Sequence, residues 1–163
     1  MKIAVYPGSF DPPTYGHVNI VERSIQVFDK VIVAVATNSS KQTTFTPQER
    51  VEILRTLFEK EPRVEVDGFE GLLVDYVKKK KATAILRGLR TVYDFEFEFQ
   101  MALANKKLDE RIDTVFMMTD AKYAFYSSSI IKEIVRLAGE TRGMLPPIVE
   151  ERLKKKIYSK KGR

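Results

Sequence analysis

The chain has 163 residues, no cysteine and no tryptophan, and 44% of its residues are hydrophobic. This length predicts one globular domain that buries roughly 70% of the surface of its unfolded chain. The absence of cysteine excludes disulfide scaffolds, cysteine-ligated zinc modules, iron–sulfur sites and cysteine nucleophiles. A reducing cytoplasm is therefore the expected compartment.

The charged residues give the chain a formal net charge of +6 at pH 7. Such an excess indicates acidic partners, either phosphorylated metabolites or nucleic acid. Much of it comes from the lysine run at 78–81 and the basic residues at 154–163, which we interpret as solvated surface. No secretory signal is recognised, and the apolar runs are far shorter than the roughly 20 residues that span a bilayer. We therefore expect no membrane partner.

Short apolar runs predict strands, and the stretches between them repeat apolar residues every three or four positions, as helices do. The run at 31–36 is apolar throughout, which is typical of a strand covered on both faces of a parallel sheet. Thr46, Pro47 and Glu49 form a predicted capping box at the start of a helix. In chain order we predict strand 2–6, helix 16–28, strand 31–36, helix 47–59, strand 64–66, helix 72–80, strand 84–86, helix 93–108, strand 114–118, helix 129–137 and helix 147–158.

The segment 93–99 is open to two interpretations. Its aromatic and acidic residues alternate with period two, which by itself favours a strand. However, Phe95 and Phe99 lie on one helical stripe, Phe97 and Met101 lie on another, and the next few residues have strong helix propensity. We predict a helix here.

Strands and helices alternate along the chain without a linker, a low-complexity insert or an internal repeat. This pattern predicts an α/β fold, a doubly wound five-stranded parallel sheet with helices on both faces. A single domain is expected over residues 1–158, followed by a basic tail at 159–163. Ligands of such sheets bind beyond the carboxyl ends of the strands, which directs attention to the loops after Val5, Ala36, Leu86 and Met118.

The loop after the first strand, residues 6–17, is rich in groups that bind anions. Gly8 permits close backbone approach, Ser9 offers a hydroxyl and an amide, and His17 lies in the first turn of the following helix. Neither GxGxxG nor GxxxxGK[ST] occurs, so an ordinary dinucleotide-binding fold or a Walker-type NTPase is not expected. His17 is the only histidine, and a lone histidine near a helix start is more often structural than catalytic.

Two further clusters follow later strands. Arg87-Gly88-Leu89-Arg90 places two arginines at the end of the fourth strand, where their planar forks could bind phosphate or simply be surface charge. Residues 123–129 end in three serines before a helix; one is expected to cap it, and the others form a second predicted phosphate cradle. Lys41, in the loop after the second strand, could add positive charge.

Thr14-Tyr15-Gly16-His17 after a strand resembles the signature of the (H/T)xGH nucleotidyltransferases, Rossmann-like enzymes that transfer a nucleotidyl group from a nucleoside triphosphate. Over nearly its whole length the chain resembles one family of that superfamily, the phosphopantetheine adenylyltransferases. Many of those relatives carry threonine at the position of Ser9 and an aliphatic residue at that of Tyr126, and a serine hydroxyl can replace that of threonine. The matching blocks, in the family's order and spacing, are Tyr6-Pro7-Gly8-Ser9-Phe10-Asp11-Pro12, Thr14-Tyr15-Gly16-His17, Arg87-Gly88-Leu89-Arg90, Asp94-Phe95-Glu96-Phe97-Glu98 and Ser127-Ser128-Ser129.

The resemblance implies transfer of the adenylyl group of ATP to 4′-phosphopantetheine by direct in-line attack. The products would be dephospho-coenzyme A and pyrophosphate, in the penultimate step of coenzyme A biosynthesis. The resemblance also implies Mg²⁺ carried chiefly by the ATP phosphates and not held at a protein metal site. A cytoplasmic homohexamer and feedback inhibition by coenzyme A are implied as well.

The family's site residues carry over to matching positions of this chain. His17 would stabilise the transition state, and Lys41 and Arg90 would be the other catalytic residues. Ser9, Lys41, Leu73 and Arg87 would bind phosphopantetheine. ATP would be bound by Ser9, Phe10, His17, Gly88, Leu89, Arg90, Glu98, Tyr123, Ala124, Phe125, Tyr126, Ser127, Ser128 and Ser129.

The expected chemistry needs no protein base. The acceptor is a phosphate monoester with a second pKa near about 6, so at pH 7 it is mostly dianionic before it enters the site. Positioning and charge stabilisation dominate such transfers. We therefore expect His17, Lys41 and Arg90 to neutralise charge on the transferring group.

Two alternatives stay open. Another nucleotidyltransferase of the same fold would act on nicotinate mononucleotide, or would use CTP with an alcohol phosphate. A nucleic-acid-binding protein would use the net charge of +6 and the basic tail. No recognisable RNA-binding or helix-turn-helix signature accompanies that charge, so we expect no nucleic acid partner.

Overall fold

The centre of the protein is a sheet of five parallel strands in the order β3-β2-β1-β4-β5. The computed structural model describes residues 1–37 and 42–161. The predicted α/β fold with five parallel strands is confirmed. The strands are β1 (Ile3–Gly8), β2 (Lys30–Ala36), β3 (Val64–Phe69), β4 (Ala84–Leu89) and β5 (Asp113–Met118). The helices are α1 (Tyr15–Ser24), α2 (Pro47–Leu57), α3 (Leu73–Lys79), α4 (Val92–Leu108), α5 (Ser128–Arg136) and α6 (Pro147–Lys161), with a short 3-10 helix (Ala121–Tyr123) before α5.

Apolar side chains cover both faces of the central strands. Val5 and Val33 are fully buried on opposite faces, as the continuous apolar sequence of β1 and β2 predicts. One core packs α1 and α2 against the sheet, and a second packs α3 against the other face. A third apolar cluster joins α5 and α6 to α2.

Helix α1 ends earlier than its apolar stripe predicts. The Ser24 hydroxyl donates to the Val21 carbonyl at 2.7 Å, and the chain then turns. Ile25 and Phe28 are nevertheless buried, because the turn keeps their side chains against the sheet. The apolar spacing therefore identifies the buried face correctly but not the end of the helix.

The carboxyl ends of β1 and β4 lie side by side at the centre of the sheet. From β1 the chain proceeds outward to β2 and β3, and it then returns to β4 and continues in the opposite direction to β5. The pairing of β4 with β5 extends to Leu89 and Met118, so Arg87 and Gly88 belong to the strand itself. The crevice at such a reversal of strand order is where doubly wound sheets bind ligands.

Helix α4 confirms the helical interpretation of 93–99, but most of its apolar side chains face outward. Among the described residues of α4 only Asn105 is buried, while Tyr93 and Phe97 are 89% and 64% exposed. Helix α6 continues to Lys161, so the division between a domain and a basic tail at residue 159 stays a prediction. No helix within residues 1–37 and 42–161 is long and apolar enough to cross a membrane.

Candidate active site

A cleft opens at the carboxyl edge of the sheet, between the loop after β1, the end of β4 and the start of α5. Its floor is shaped by Gly8 and Phe10. A β-carbon on Gly8 would lie 2.8 Å from the Phe10 ring, so only glycine fits there. Phe10 has a φ of 49°, in the left-handed region, and its buried ring packs edge-to-face against Tyr6 and His17 at centroid distances of 5.4 and 5.1 Å. The Phe10 ring thus restricts the position of the His17 imidazole.

His17 is held in one tautomer by the capping box of α1. The Thr14 backbone N–H donates to His17 Nδ1 at 2.9 Å, and the Thr14 hydroxyl lies 3.0 Å from the same nitrogen. A backbone amide can only donate, so Nδ1 is an acceptor and the ring proton is on Nε2. His17 lines the cleft, and Nε2–H is the one donor its ring has left.

Burial lowers the pKa of His17 to about 4, and the nearby positive charges of Arg90 and Arg87 contribute in the same direction. At neutral pH the imidazole is therefore uncharged. A transition-state role for His17 would therefore rest on hydrogen bonding and not on a positive charge of the ring. The ring offers a preorganised hydrogen bond, and the positive charge in the cleft comes from its neighbours.

Arg87 joins three parts of the site. Its Nε donates to Glu98 Oε2 at 2.7 Å, and its Nη2 donates to the other oxygen of the same carboxylate. Its Nη1 donates to the Pro7 carbonyl at 2.7 Å. The guanidinium of β4 thereby links α4 to the end of β1. Because Glu98 already balances its charge, a phosphate that binds Arg87 must share or displace this carboxylate.

Arg90 and the serine segment form the upper rim of the cleft. Arg90 Nε lies 3.6 Å from Asp94 Oδ2, and its side chain is 38% exposed, which leaves donors free to meet an anion. Ser127 caps α5 by accepting the Ile130 N–H at 3.2 Å, which confirms that one of the three serines is a cap. The Ser128 hydroxyl donates to the Pro12 carbonyl at 2.7 Å, so α5 begins directly against the loop after β1.

Asp11 and Lys132 are two functional candidates that the sequence interpretation missed. The Asp11 carboxylate accepts the backbone N–H groups of Thr44 and Phe45 at 2.9–3.0 Å and pairs with the Lys132 ammonium at 2.8 Å. Burial alone would raise the pKa of Asp11, but these donors together hold it below its usual value. A useful signal was the position of Lys132, which lies one helical turn after Ser128 and Ser129 and therefore on the same face of α5.

A buried arginine fixes the loops from behind. Arg50 is 2% exposed, and within the described part of the chain no carboxylate is bonded to it. Its Nη1 donates to the Ser9 carbonyl at 2.7 Å and to the Ala36 carbonyl at 3.3 Å. Both carbonyls lie at or just after strand ends, so this side chain ties the loop after β1 to the end of β2.

Most of the site residues predicted from the sequence converge on this cleft. Leu73 instead packs against the core under α3, Leu89 is buried in β4, and Phe125 is 84% exposed. Tyr123 stacks on Tyr15 with ring centroids 6.0 Å apart and does not line the cleft, nor does Ala124. Lys41 lies outside the described residues. The predicted residues that line the cleft are Ser9, Phe10, His17, Arg87, Gly88, Arg90, Glu98, Tyr126, Ser127, Ser128 and Ser129.

The cleft is suited to an anion. Its three carboxylates are already bonded: Asp11 to Lys132 and two amides, Glu98 to Arg87, and Asp94 to the N–H groups of Arg90 and Thr91. Within the described ranges, no group of three or more His, Asp or Glu side chains is arranged to hold a metal ion. The groups of the cleft that are left to bind a ligand are therefore mainly hydrogen-bond donors and positive charges.

Comparisons with known proteins agree with this geometry. Residues 5–134 match the family model described as cytidylyltransferase-like. The chain is 53% identical to the phosphopantetheine adenylyltransferase of Caldanaerobacter subterraneus subsp. tengcongensis, over 96% of this chain and 98% of that protein. It is 56% identical to the protein of the same name from Solidesulfovibrio magneticus, over 93% and 88% of the two chains. A crystal structure described as a nicotinate-nucleotide adenylyltransferase from Vibrio parahaemolyticus shares the fold, with a TM-score of 0.74 and 19% identity over 97% and 96% of the two chains.

Proposed function

The chain belongs to the phosphopantetheine adenylyltransferase family of the cytidylyltransferase-like superfamily, and from that premise we propose how its cleft performs the reaction. The reaction transfers the adenylyl group of ATP to 4′-phosphopantetheine and gives dephospho-coenzyme A and pyrophosphate, a step of coenzyme A biosynthesis. The observation that carries the proposal is the convergence of His17, Arg87, Arg90 and the serine segment on one cleft at the switch point of the sheet.

ATP occupies the side of the cleft between the loop after β1 and the serine segment. Ser9, Phe10 and His17 contact it from α1 and the loop before it. Gly88, Arg90 and Glu98 line this side from β4, the turn after it and α4, and residues 126–129 line it from the segment that leads into α5. Leu89 and residues 123–125 are assigned to ATP by the family resemblance alone. Arg90 and the N-terminal amides of α5 supply the positive potential that a triphosphate needs, which supports this placement.

4′-Phosphopantetheine occupies the neighbouring part of the cleft. Ser9 and Arg87 line this part of the cleft, and the phosphate lies next to Arg87. Lys41 and Leu73 are assigned to the same substrate by the family resemblance. The pairing of Arg87 with Glu98 supports the placement of the phosphate, since it orients the guanidinium before the phosphate arrives. A bidentate carboxylate partner is also replaced readily by a phosphate of similar shape.

The transfer is a direct in-line displacement. An oxygen of the acceptor phosphate attacks the α-phosphorus of ATP, the bond from that phosphorus to the bridging oxygen breaks, and pyrophosphate leaves with the electron pair. The acceptor is already a dianion at pH 7, so no protein group needs to remove a proton. His17 donates its Nε2–H to the transferring group, and Lys41 and Arg90 offset the charge that develops there.

Nucleotidyltransferases of this kind use ATP with a divalent metal ion, and we propose that the ion is Mg²⁺ carried by the ATP phosphates. The engagement of Asp11, Asp94 and Glu98 with protein donors supports that assignment over a site made of protein carboxylates. When bound, the ion would supply further positive charge at the phosphate oxygens.

The proposal includes the assembly and regulation of the enzyme. The exposed apolar face of α4 supports self-association, and we propose a homohexamer. Coenzyme A carries the same pantetheine and adenylyl groups as the product, so it fits the same cleft and is proposed as a feedback inhibitor. Because the reaction consumes ATP in a biosynthetic route, the proposed location is the cytoplasm.

An acceptor panel tests the function. Pyrophosphate release is measured with Mg²⁺ and ATP plus 4′-phosphopantetheine, and in parallel with ATP plus nicotinate mononucleotide and with CTP plus glycerol 3-phosphate. We expect release only with 4′-phosphopantetheine, and a loss of kcat of about 10²–10³-fold in His17→Ala, comparable to removal of one preorganised donor. Lys78→Ala, which removes an exposed ion pair with Asp75 in α3 outside the cleft, is the matched control.

The panel separates the alternatives. Pyrophosphate release only with one of the other substrate pairs would support nucleotidyl transfer but contradict 4′-phosphopantetheine as the acceptor. No pyrophosphate release in any of the reactions would overturn the proposed activity. In that case a salt-sensitive gel shift with RNA or DNA would test the nucleic-acid alternative.

A further inference from the structure

The exit of β5 is fastened to α1 by side chains that have no part in the proposed chemistry. Asn19 Nδ2 donates to Asp120 Oδ2 at 2.9 Å, and the Asp120 backbone N–H donates back to Asn19 Oδ1 at 3.2 Å. Arg23 Nη1 donates to the Met118 carbonyl at 2.5 Å and to Asp120 Oδ1 at 3.2 Å. We call this set, Asn19, Arg23 and Asp120, the β5 clamp.

Of the three members of the β5 clamp, Asn19 is the one whose removal would leave the most buried hydrogen-bonding groups unpaired. It is 8% exposed, and both its amide oxygen and its amide nitrogen are bonded to Asp120. Arg23 and Asp120 have side chains 45% and 42% exposed, so water can replace their ion pair at little cost. Truncation of Asn19 would leave the Asp120 amide without its side-chain acceptor in a partly buried place.

The β5 clamp lies just beyond the last hydrogen bonds between β5 and β4. The pairing of β4 with β5 ends at Leu89 and Met118, with one further backbone bond from the Thr119 N–H to the Leu89 carbonyl at 2.8 Å. Beyond Thr119 the chain no longer pairs with a strand. Loss of the clamp would therefore leave the sheet intact and remove one attachment of the segment after Thr119, which Tyr123 and Ser128 still hold at Tyr15 and Pro12.

The segment after Thr119 includes the residues proposed to bind ATP, and it lies directly against the turn that carries His17. A β-carbon added to Gly16 would be 3.5 Å from Thr119 Cγ2 and 3.7 Å from Tyr123 Cβ. Thr119 lines the cleft with His17 and Ser127. The position of residues 119–129 relative to His17 thus depends on how firmly Asp120 is attached to α1.

We propose that Asn19 is a positioning residue for adenylyl transfer. Through Asp120 it sets the distance between the His17 turn and the nucleotide-binding segment, so that ATP binding depends on it while binding of the acceptor does not. This inference rests on the proposed function, because it takes residues 123–129 to be the ATP-binding segment.

The test compares three variants. Asn19→Ala removes both hydrogen bonds, and we expect the KM for ATP to rise about 3- to 20-fold, the effect of one or two net hydrogen bonds. The KM for 4′-phosphopantetheine should change less than about twofold, within the usual effect of a distant substitution. Asn19→Asp places a carboxylate against that of Asp120 and should raise the KM for ATP further.

The double variant Asn19→Asp with Asp120→Asn is the decisive one. The carboxylate introduced at position 19 accepts the backbone N–H of residue 120 and the side-chain N–H of the asparagine introduced there, so both hydrogen bonds return, the side-chain one with its polarity exchanged. We expect it to recover most of the ATP affinity lost in Asn19→Asp. Lys78→Ala, which removes the exposed ion pair with Asp75 in α3, is the control for an ion pair that does not touch the cleft.

Steady-state kinetics are combined with calorimetric titration of ATP and with thermal unfolding of each folded variant. A selective rise in the KM for ATP with recovery in the double variant supports the inference. Unchanged ATP affinity in Asn19→Ala, equal rises for both substrates, or a double variant as impaired as Asn19→Asp would overturn it. Wild-type protein that binds no ATP would overturn the proposed function, and the inference with it.

Discussion

His17 shows how one side chain acquires its role from its neighbours. The residue type alone allows a base, an acid, a cation or a structural group. The Thr14 N–H fixes the ring proton on Nε2, and burial with two nearby arginines keeps the ring neutral. A neutral donor costs less to bury than a cation and cannot lose its proton to the acceptor phosphate at pH 7. At the scale of this residue, the structure supplies a fixed hydrogen-bond donor beside two arginines, and the proposed function uses it to stabilise charge.

NMR titration of His17 tests this directly, because it is the only histidine of the chain and its signals need no assignment. We expect no titration between about pH 5.5 and 8 in the ligand-free protein, and nitrogen shifts of a ring protonated at Nε2. The unfolded chain takes up this proton near pH 6.5 and the folded protein only near pH 4. The contribution of His17 to folding stability is therefore complete above pH 6.5 and is lost as the pH falls towards 4.

An apparent pKa near 6.5 in the folded protein would contradict this description of the ring. Thr14→Ala is an informative companion, since it removes the hydroxyl near Nδ1 but keeps the backbone donor. The tautomer should therefore be retained in that variant.

Arg87 marks the limit of what a residue pattern reveals. Its place near the end of a strand predicts a phosphate ligand, but its carboxylate partner could not be inferred. Glu98 is eleven residues later and lies among alternating aromatic and acidic side chains of similar appearance. Only the packing of α4 over β4 selects Glu98 as the partner.

At the scale of elements, α4 shows that helix formation can be predicted from local sequence whereas the burial of its apolar side chains cannot. The sequence predicted its helix correctly, because spacing and propensity are local properties. It suggested apolar stripes, which usually face a core, but Phe97 and Tyr93 face outward. Whether an apolar stripe is buried by the same chain or by a second copy cannot be inferred from its periodicity.

The outward face of α4 is the candidate contact of the proposed homohexamer. Phe97→Asp places a charge in the middle of this face and should reduce the mass measured by light scattering from six times 18.7 kDa to a smaller species. Val27→Asp is the matched control, because Val27 is 57% exposed in a turn away from α4. An unchanged hexamer in Phe97→Asp, or a wild-type protein that is monomeric, would contradict the role of this face.

At the scale of the whole molecule, the site is made by topology. Each loop of the cleft follows a different strand, and the switch between β1 and β4 brings them together. This part was predictable, since alternating strands and helices allow few arrangements. The long-range side-chain contacts around the cleft could not be predicted. Asp11 pairs with Lys132, 121 positions later in the chain, and Asn19 bonds to Asp120, 101 positions later. Such contacts depend on the relative orientation of α1, α5 and the sheet, which no local pattern encodes.

The central claim is that this cleft transfers the adenylyl group in one displacement, with no covalent intermediate on the protein. The stereochemistry at phosphorus tests it most directly. ATP in which sulfur replaces one non-bridging oxygen of the α-phosphate is supplied as a single diastereomer with 4′-phosphopantetheine, and the configuration of the product at phosphorus is determined by phosphorus NMR. A single in-line displacement predicts inversion. Retention would show two displacements through an adenylylated side chain and would contradict the claim.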